Sequence, residues 1–354
     1  MIARWVRVGL TLFVLVAAVV AARLLAPIST PPFEGPAGRP LAGSIAVAER
    51  WAINGVEQSV IIRGRDASKP ILIWLHGGPG SGETPILRVL NGQLEESFTV
   101  VYWDQRLAGQ TLDPLAAPES LTIDQMVADL EVLVDRLRKR LGQEKVVLIG
   151  HSWGTMLGVL YASRHPDKVA AYVGIGQMAD KPRAEALSYA YAADQARRRQ
   201  NGEALRQLRE IGPPPYSGEE IFVQRAWLYE FGGASYTDMS LPRLILMSLG
   251  SSEANWRDLY ATSNGGVLGA RLLEPQLLSR NLDRTYLRFD VPVLIVAGRH
   301  DHLTSSVLAH RYYERIQAPA KTFVWFERSG HNPHLEEPAK FNAWLVEALR
   351  SSPP

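Results

Sequence analysis

The chemistry-bearing residues of this chain begin with a serine between glycines, in the stretch Gly-His-Ser-Trp-Gly at residues 150–154. This serine, Ser152, directly follows the apolar run at residues 146–149 and precedes a stretch that is typical of a helix. A nucleophilic serine needs such a strand–turn–helix context, because the tight turn lifts its hydroxyl clear of the sheet and crowds the flanking backbone. A serine that merely caps the helix is the alternative, and the preceding strand favours the nucleophile.

A serine hydroxyl is a weak nucleophile and needs a base, which an acid in turn orients. In a fold with this turn the three residues follow the order serine, acid, histidine along the chain. Asp301 lies just past the strand-like run at residues 292–298, and His331 lies in a loop after the run at residues 321–326. We therefore predict Asp301 as the acid and His331 as the base.

Two further residues leave alternatives open around this assignment. Glu327 is an alternative acid, although Asp301 stands where loops beyond strand ends carry function. His334 follows His331 by three residues, and we interpret it as a neighbouring loop histidine.

The stretch His-Gly-Gly-Pro-Gly at residues 76–80 also follows a strand-like run. Its glycines allow the backbone to approach a ligand closely, although a simple tight turn would use them as well. A carbonyl attacked by Ser152 becomes an oxyanion, which needs preorganised N–H donors. We predict that the backbone N–H of Trp153 is one donor and that of Gly78, or less favourably Gly77, is the other.

The elements that must position these residues alternate along the chain. A helix is predicted at residues 122–141, with Thr122 and Gln125 as a capping box and Gly142 at its end. Continuous apolar runs are typical of strands buried on both faces of a sheet. This alternation predicts an α/β fold with a mostly parallel sheet flanked by helices. The strand-like runs lie at residues 59–64, 71–78, 98–104, 145–150, 169–176, 292–298 and 321–326.

The strand–helix alternation stops near residue 179, and the chain is helix-leaning until residue 288. We predict an α/β core made of residues 44–179 and 289–354, with residues 180–288 inserted as a helical cap. Residues 27–43 are rich in proline, glycine and serine, and this composition predicts a linker.

The first 26 residues are expected to anchor the protein in a membrane or to direct its export. Arg4 and Arg7 precede an uncharged apolar run that ends at Arg23. The run is about 15 residues long, which is the upper end for a signal peptide and short for a full span. Residues 20–22 offer a small-residue cleavage site, but we favour an uncleaved anchor, and either reading predicts an exported catalytic part.

The composition is that of an ordinary globular protein, with 354 residues, 46% of them hydrophobic and 21% charged. The formal net charge of +2 gives no broad positive field, so no nucleic-acid partner is expected. The chain contains no cysteine, which excludes disulfides, thiolate metal sites and a cysteine nucleophile. The oligomeric state is not readable from the sequence.

Together, these motifs resemble the α/β-hydrolase superfamily and, within it, the proline iminopeptidases. The resemblance covers most of residues 50–350 and rests on HGGPG, YWDQR, GHSWG, GRHD and SGH, which occur in this order. It implies the roles already assigned to Ser152, Asp301 and His331, with Trp153 and Gly78 at the oxyanion hole. It also implies a serine hydrolase that uses an acyl-enzyme and no metal or cofactor.

The same resemblance implies a small-molecule or short-peptide substrate, from which an N-terminal proline or small residue is released. Iminopeptidases hold the substrate's free ammonium with glutamates of the cap, which implies Glu230 in AWLYEFGG and, as a candidate second, Glu253 in SSEANW. An esterase or lactonase for a small ester or amide is the alternative, and a catalytically idle binding protein is another. Residues 107–111 and the apolar N-terminus depart from the family pattern.

Overall fold

The computed structural model describes residues 27–113, 121–216 and 218–351, with a few isolated positions between residues 14 and 25. Most of the predicted anchor, residues 1–26, therefore lies outside the described residues, and the uncleaved anchor stays a prediction. Within the described part, no helix combines the length and the apolar character that a membrane crossing requires.

The described part of the chain forms one eight-stranded sheet with the strand order β1-β2-β4-β3-β5-β6-β7-β8. The β1–β2 and β2–β4 pairs are antiparallel, and the remaining pairs are parallel. The predicted α/β fold class is therefore confirmed. The strands are β1 (Ile45–Ile53), β2 (Val56–Gly64), β3 (Ile71–Leu75), β4 (Thr99–Asp104), β5 (Val146–His151), β6 (Val169–Ile175), β7 (Val293–Gly298) and β8 (Lys321–Phe326).

Helices follow most of the strands and cover both faces of the sheet. Those of the core are α1 (Thr84–Leu90), α2 (Ile123–Leu141), α3 (Trp153–Arg164), α10 (Ser306–Arg315), α11 (Pro333–Glu336) and α12 (Pro338–Ser351). Those between β6 and β7 are α4 (Lys181–Arg198), α5 (Gly202–Ile211), α6 (Glu220–Glu230), α7 (Leu241–Ser248), α8 (Trp256–Ser279) and α9 (Leu282–Thr285).

Helix α2 begins after Thr122 and ends before Gly142, which are its capping residues. The Thr122 side chain accepts a hydrogen bond from the backbone N–H of Gln125 at 3.1 Å, which is the N-terminal half of the predicted capping box. At the other end Gly142 has a φ of 65°, a left-handed conformation that glycine adopts without strain.

Strand β3 explains why the central runs are apolar at every position. Ile73 and Leu75 belong to the apolar cluster that includes helices α2 and α3, on one face of the sheet. Leu72 and Trp74 belong to a second cluster on the other face, with α12. Successive side chains of a strand point to opposite faces, so a sheet covered on both sides buries all of them.

The sequence analysis missed strand β1. This strand is only partly buried and forms a hairpin with β2, so it lacks the continuous apolar run of the central strands. The connection is Asn54-Gly55, with φ values of 44° and 80°. That dipeptide is a strong hairpin signal, because a two-residue turn of this type needs positive φ at both positions.

Candidate active site

Ser152 lies at the tight turn between strand β5 and helix α3, with φ 52° and ψ −117°. A Cβ on Gly150 would lie 2.5 Å from the carbonyl oxygen of Gly154, and a Cβ on Gly154 would lie 2.0 Å from that of Leu75. Both distances are shorter than side chains tolerate, so the turn requires glycine on both sides of the serine. The strained φ of Ser152 is typical of a functional residue.

Asp301 and His331 lie in the loops that follow strands β7 and β8, and their side chains are bonded. The distance from Asp301 Oδ2 to His331 Nδ1 is 2.9 Å. Thr304 donates its hydroxyl to the same oxygen at 2.8 Å, and the backbone N–H groups of Leu303 and Thr304 donate to Oδ1. Burial raises the pKa of Asp301, but the charge and hydrogen bonds of His331 and Thr304 outweigh it and lower the pKa to about 2. Asp301 is therefore a carboxylate that fixes the His331 ring.

The two residues left open in the sequence have other surroundings. Glu327 is exposed and pairs with Arg299, with 2.6 Å between the Glu327 carboxylate and the guanidinium. His334 is fully buried beneath the turn, and its ring centroid lies 4.5 Å from that of His151. The structure thus brings Asp301, and not Glu327, to the His331 ring.

The glycine-rich loop after β3 reaches the same cleft as the serine. Gly78 has a φ of 114°, and a Cβ there would lie 2.5 Å from the backbone nitrogen of Gly80. Gly78, Ser152 and His331 line one cleft of about 360 Å³. Trp153 is held at the start of α3 by its indole N–H, which donates to Gln105 Oε1 at 2.9 Å. Of the two residues predicted to supply the oxyanion donors, Trp153 thus directly follows Ser152 at the start of α3, and Gly78 belongs to the glycine-rich loop that lines the same cleft.

A buried ion pair, which the sequence analysis missed, connects these loops. Glu83 Oε1 lies 2.5 Å from His151 Nδ1 and accepts the backbone N–H of Gly77 at 3.1 Å, while Trp74 Nε1 donates to Oε2 at 3.1 Å. His151 Nε2 lies 3.3 Å from the backbone oxygen of His331. Glu83 and His151 are 68 residues apart, so no local pattern reveals their pairing.

The charges of this pair stabilise each other. Burial raises the pKa of Glu83, but the charge and hydrogen bond of His151 outweigh it and lower the pKa to about 2. Burial lowers the pKa of His151, but the Glu83 carboxylate outweighs it, so the net shift is upward. A charged Glu83–His151 pair therefore ties the glycine-rich loop, the serine turn and the His331 loop together.

The same corner of the site holds the side chains best able to bind a metal ion. Among the described residues, the ligand atoms of Glu83, His151 and His334 lie within 4.8 Å of one another, and all three are buried. Glu83 and His151 already satisfy each other as an ion pair, so their proximity has an explanation without a metal.

The cap contributes a charged wall to the cleft. Lys181, Arg225 and Glu274 line it next to Ser152. Lys181 Nζ lies 3.0 Å from Glu274 Oε1 and 2.5 Å from Glu185 Oε1, and Arg225 also pairs with Glu185. Burial raises the pKa of Glu185, but the charges of Lys181 and Arg225 outweigh it and lower the pKa to about 2.

The structure does not bring Glu230 and Glu253 to this cleft. Glu230 is exposed in the last turn of α6, whereas its neighbour Tyr229 lines the cleft. Glu253 is buried elsewhere, where Arg88 Nε lies 3.0 Å from its carboxylate and Thr30 donates to it at 2.8 Å. Glu230 points away from the cleft because successive residues of a helix point about 100° apart, and its neighbour Tyr229 is the one that lines the cleft. Glu253 is held away from the cleft by its ion pair with Arg88.

The sequence of this chain matches a known protein family. Residues 70–338 match the family described as the alpha/beta hydrolase fold. That range is most of the chain, so the chain belongs to the α/β-hydrolase family. The expectation of a hydrolase of this class is therefore confirmed.

Similar proteins align along nearly their full length. The chain is 28% identical over 309 residues to the probable aminopeptidase YbaC of Bacillus subtilis (strain 168), covering 87% of this chain and 97% of that protein. It is 27% identical over 297 residues to a proline iminopeptidase of Clostridioides difficile (strain 630), covering 81% and 92%. The solved structure of a proline iminopeptidase-related protein from Thermus thermophilus has a TM-score of 0.63 at 21% identity, covering 88% and 99%, and supports the fold.

Proposed function

We propose that this protein is a serine aminopeptidase that releases an N-terminal proline or small residue from short peptides. The observation that carries the proposal is the cleft in which Ser152, on its strained turn, and His331, bonded to Asp301, share one wall. The alignment over 97% of a probable aminopeptidase supports the choice of substrate.

The proposed reaction is acyl transfer in two steps. Ser152 Oγ attacks the carbonyl carbon, and His331 takes the hydroxyl proton while Asp301 stabilises the imidazolium that forms. The N–H groups of Trp153 and Gly78 hold the oxyanion. His331 then gives the proton to the departing amine, the C–N bond breaks, and water, activated by the same histidine, releases the acyl group from Ser152.

The substrate's free ammonium needs a carboxylate, because a desolvated cation without a partner is costly. We assign this role to Glu274 in place of Glu230 and Glu253. Glu274 lines the cleft beside Ser152. Glu83 also lines this cleft, but three donors bind its carboxylate, whereas the ion pair given for Glu274 is with Lys181.

Ester hydrolysis by the same triad is the second candidate, and the charged wall favours it. Lys181 already pairs with Glu274 at the wall of the cleft, so a substrate ammonium has to compete with Lys181 for that carboxylate. An ester without a charged amine needs no such exchange of partners.

The N-terminal segment, residues 1–26, is proposed to hold the catalytic domain at a membrane. Arg4 and Arg7 before the apolar run support this proposal. The domain division into a core (44–179 and 289–354) and a cap (180–288) is proposed with it. The mass of the mature protein, compared with that of the encoded chain, and its recovery in membrane or soluble fractions test the anchor.

The function is tested by hydrolysis of a prolyl anilide beside a short-chain aryl ester, with wild type and Ser152→Ala. We expect prolyl turnover that the substitution reduces by about 10⁴-fold or more. Ester turnover alone, also lost in the variant, would retain the triad and replace the aminopeptidase by an esterase. Turnover that survives in Ser152→Ala would contradict both candidates.

A further inference from the structure

A second cavity of about 500 Å³ lies beside the catalytic cleft, between the core and helices α7 and α8. We call it the lateral chamber. Its walls are mainly apolar, and helix α7 supplies one of them through side chains at positions one turn apart. Its large aliphatic side chains are those of Ile86, Leu244, Ile245, Leu249, Leu259 and Leu335.

The lateral chamber and the catalytic cleft share part of their lining. Ser81, Glu83, Tyr229 and Asn332 line both. Three donors already satisfy the Glu83 carboxylate in this shared wall. An apolar group that passes along it therefore leaves the bonds of that carboxylate in place.

The chamber adjoins the cleft next to the loop that carries His331. Asn332, which lines both cavities, directly follows His331, and that histidine gives its proton to the leaving group. The charged wall of Lys181, Arg225 and Glu274 lines the cleft and not the lateral chamber, among the residues described. Ser152 thus lies with the charged wall in the cleft, and the lateral chamber adds a mainly apolar region beside it.

We propose that the lateral chamber binds an apolar leaving group, so that the preferred substrates carry a large aliphatic or aromatic residue directly after the scissile bond. The acyl part then lies toward the charged wall. This inference rests on the proposed hydrolase function, but it applies equally to an amide and to an ester, because both expel a leaving group beside His331.

The proposal is tested with two series that carry the same leaving groups, prolyl n-alkylamides and acetate esters of n-alkanols, with chains of two to eight carbons. We expect kcat/KM to rise by up to about fourfold per added methylene while the chain still enters the apolar walls. An acyl series, p-nitrophenyl acetate to octanoate, should show no comparable rise. A rise with acyl length instead would overturn the assignment.

Two substitutions on helix α7 separate the chamber from a general effect of bulk. Ile245→Trp places an indole ring among the apolar walls of the chamber and should reduce the rise with leaving-group length. Leu246→Trp adds the same side chain at a neighbouring position that is 73% exposed, and should keep the rise of the wild type. If Ile245→Trp fails to fold, as judged by thermal unfolding, Leu244→Phe gives the same test. Equal slopes in the chamber variant and in Leu246→Trp would contradict the proposal.

A binding measurement distinguishes failure of the chamber from failure of the proposed function. Ser152→Ala protein is titrated with n-octanol, and the shift in its unfolding temperature is measured. The shift should persist when Leu246→Trp is added and disappear when Ile245→Trp is added, whether or not the wild type turns over any substrate. A shift that is the same in both double variants, or no shift in Ser152→Ala, would overturn the chamber assignment alone.

Discussion

The core and the cap both line the cleft, but different kinds of structural constraint hold their residues in place. The core side is fixed by backbone, because Ser152 sits on a turn that has no room for a Cβ at Gly150 or Gly154. The cap side is fixed by side-chain charges, since Lys181 bridges Glu185 and Glu274 across two helices. Backbone constraints of this kind tolerate almost no substitution, whereas a charge network can be rearranged one residue at a time.

This difference separates chemistry from substrate choice. We expect substitutions on the core side to affect every substrate alike, because all substrates use the same acyl transfer. We expect substitutions on the cap side to change the ratio between substrates. Single substitutions on the core side and on the cap side test this division between chemistry and substrate choice.

Asp301→Asn should lower kcat by about 10⁴-fold on both the prolyl anilide and the aryl ester. The asparagine keeps the shape but removes the charge that stabilises the His331 imidazolium, and it favours the wrong tautomer of the ring. The measurement is steady-state kinetics on the two substrates. Glu327→Gln, which changes an exposed ion pair with Arg299, is the control and should leave both rates within about twofold. A large loss in the control would make Glu327 the acid.

Glu83→Gln should destabilise the fold by about 3–5 kcal/mol, because it leaves the buried His151 without its charge partner. It should also lower kcat on both substrates, since the pair ties the Gly77 loop to the serine turn. Chemical denaturation and kinetics measure the two effects. Glu96→Gln, at an exposed ion pair with Arg65, makes the same chemical change as a control. Unchanged stability in Glu83→Gln would show that the Glu83–His151 ion pair does not stabilise the fold.

Glu274→Gln should lower kcat/KM for the prolyl anilide by about 10- to 100-fold, which is the loss expected for one charged hydrogen bond. Ester hydrolysis should change much less, because an ester has no ammonium to bind. Glu230→Gln, on the exposed end of α6, should leave both rates within about twofold. The reverse result, with Glu230 sensitive and Glu274 silent, would return the ammonium site to the residue expected from the family resemblance.

Asp258→Asn should raise stability at pH 8, raise it less at pH 5, and have little effect below the ordinary pKa of 3.8. Burial, and then the charge of Asp104, raise the pKa of Asp258 to about 7 from an ordinary value of 3.8. Between these values the folded state binds the proton more tightly than the unfolded state does, so this group lowers stability as pH rises through that window. Thermal unfolding should show a gain of about 2–4 °C at pH 8 for each kcal/mol recovered. The exposed Asp167→Asn should show no pH-dependent gain.

Sequence patterns predicted the fold and the core side of the site because their signals are local. A buried strand followed by Gly-His-Ser-Trp-Gly specifies a strand, a turn and a helix within a dozen residues. The loops that follow β7 and β8 carry Asp301 and His331, and parallel strands bring such loops to one edge of the sheet.

Side-chain pairs between residues that are distant in sequence could not be predicted in this way. The Glu83–His151 pair and the Lys181–Glu274 pair join residues that are far apart in sequence, and many acidic residues would fit either pattern equally well. Glu230 shows the consequence. Adjacent residues of a helix point about 100° apart. Tyr229 therefore lines the cleft, whereas Glu230, one position later, is exposed and does not line it.

Covalent labelling with a fluorophosphonate, followed by mass mapping of the modified peptide, tests whether Ser152 is the activated nucleophile. We expect one adduct on Ser152, which is lost in Ser152→Ala and forms much more slowly in Asp301→Asn. An adduct on another residue, or no adduct on folded wild-type protein, would contradict this expectation and favour a binding protein on a hydrolase fold.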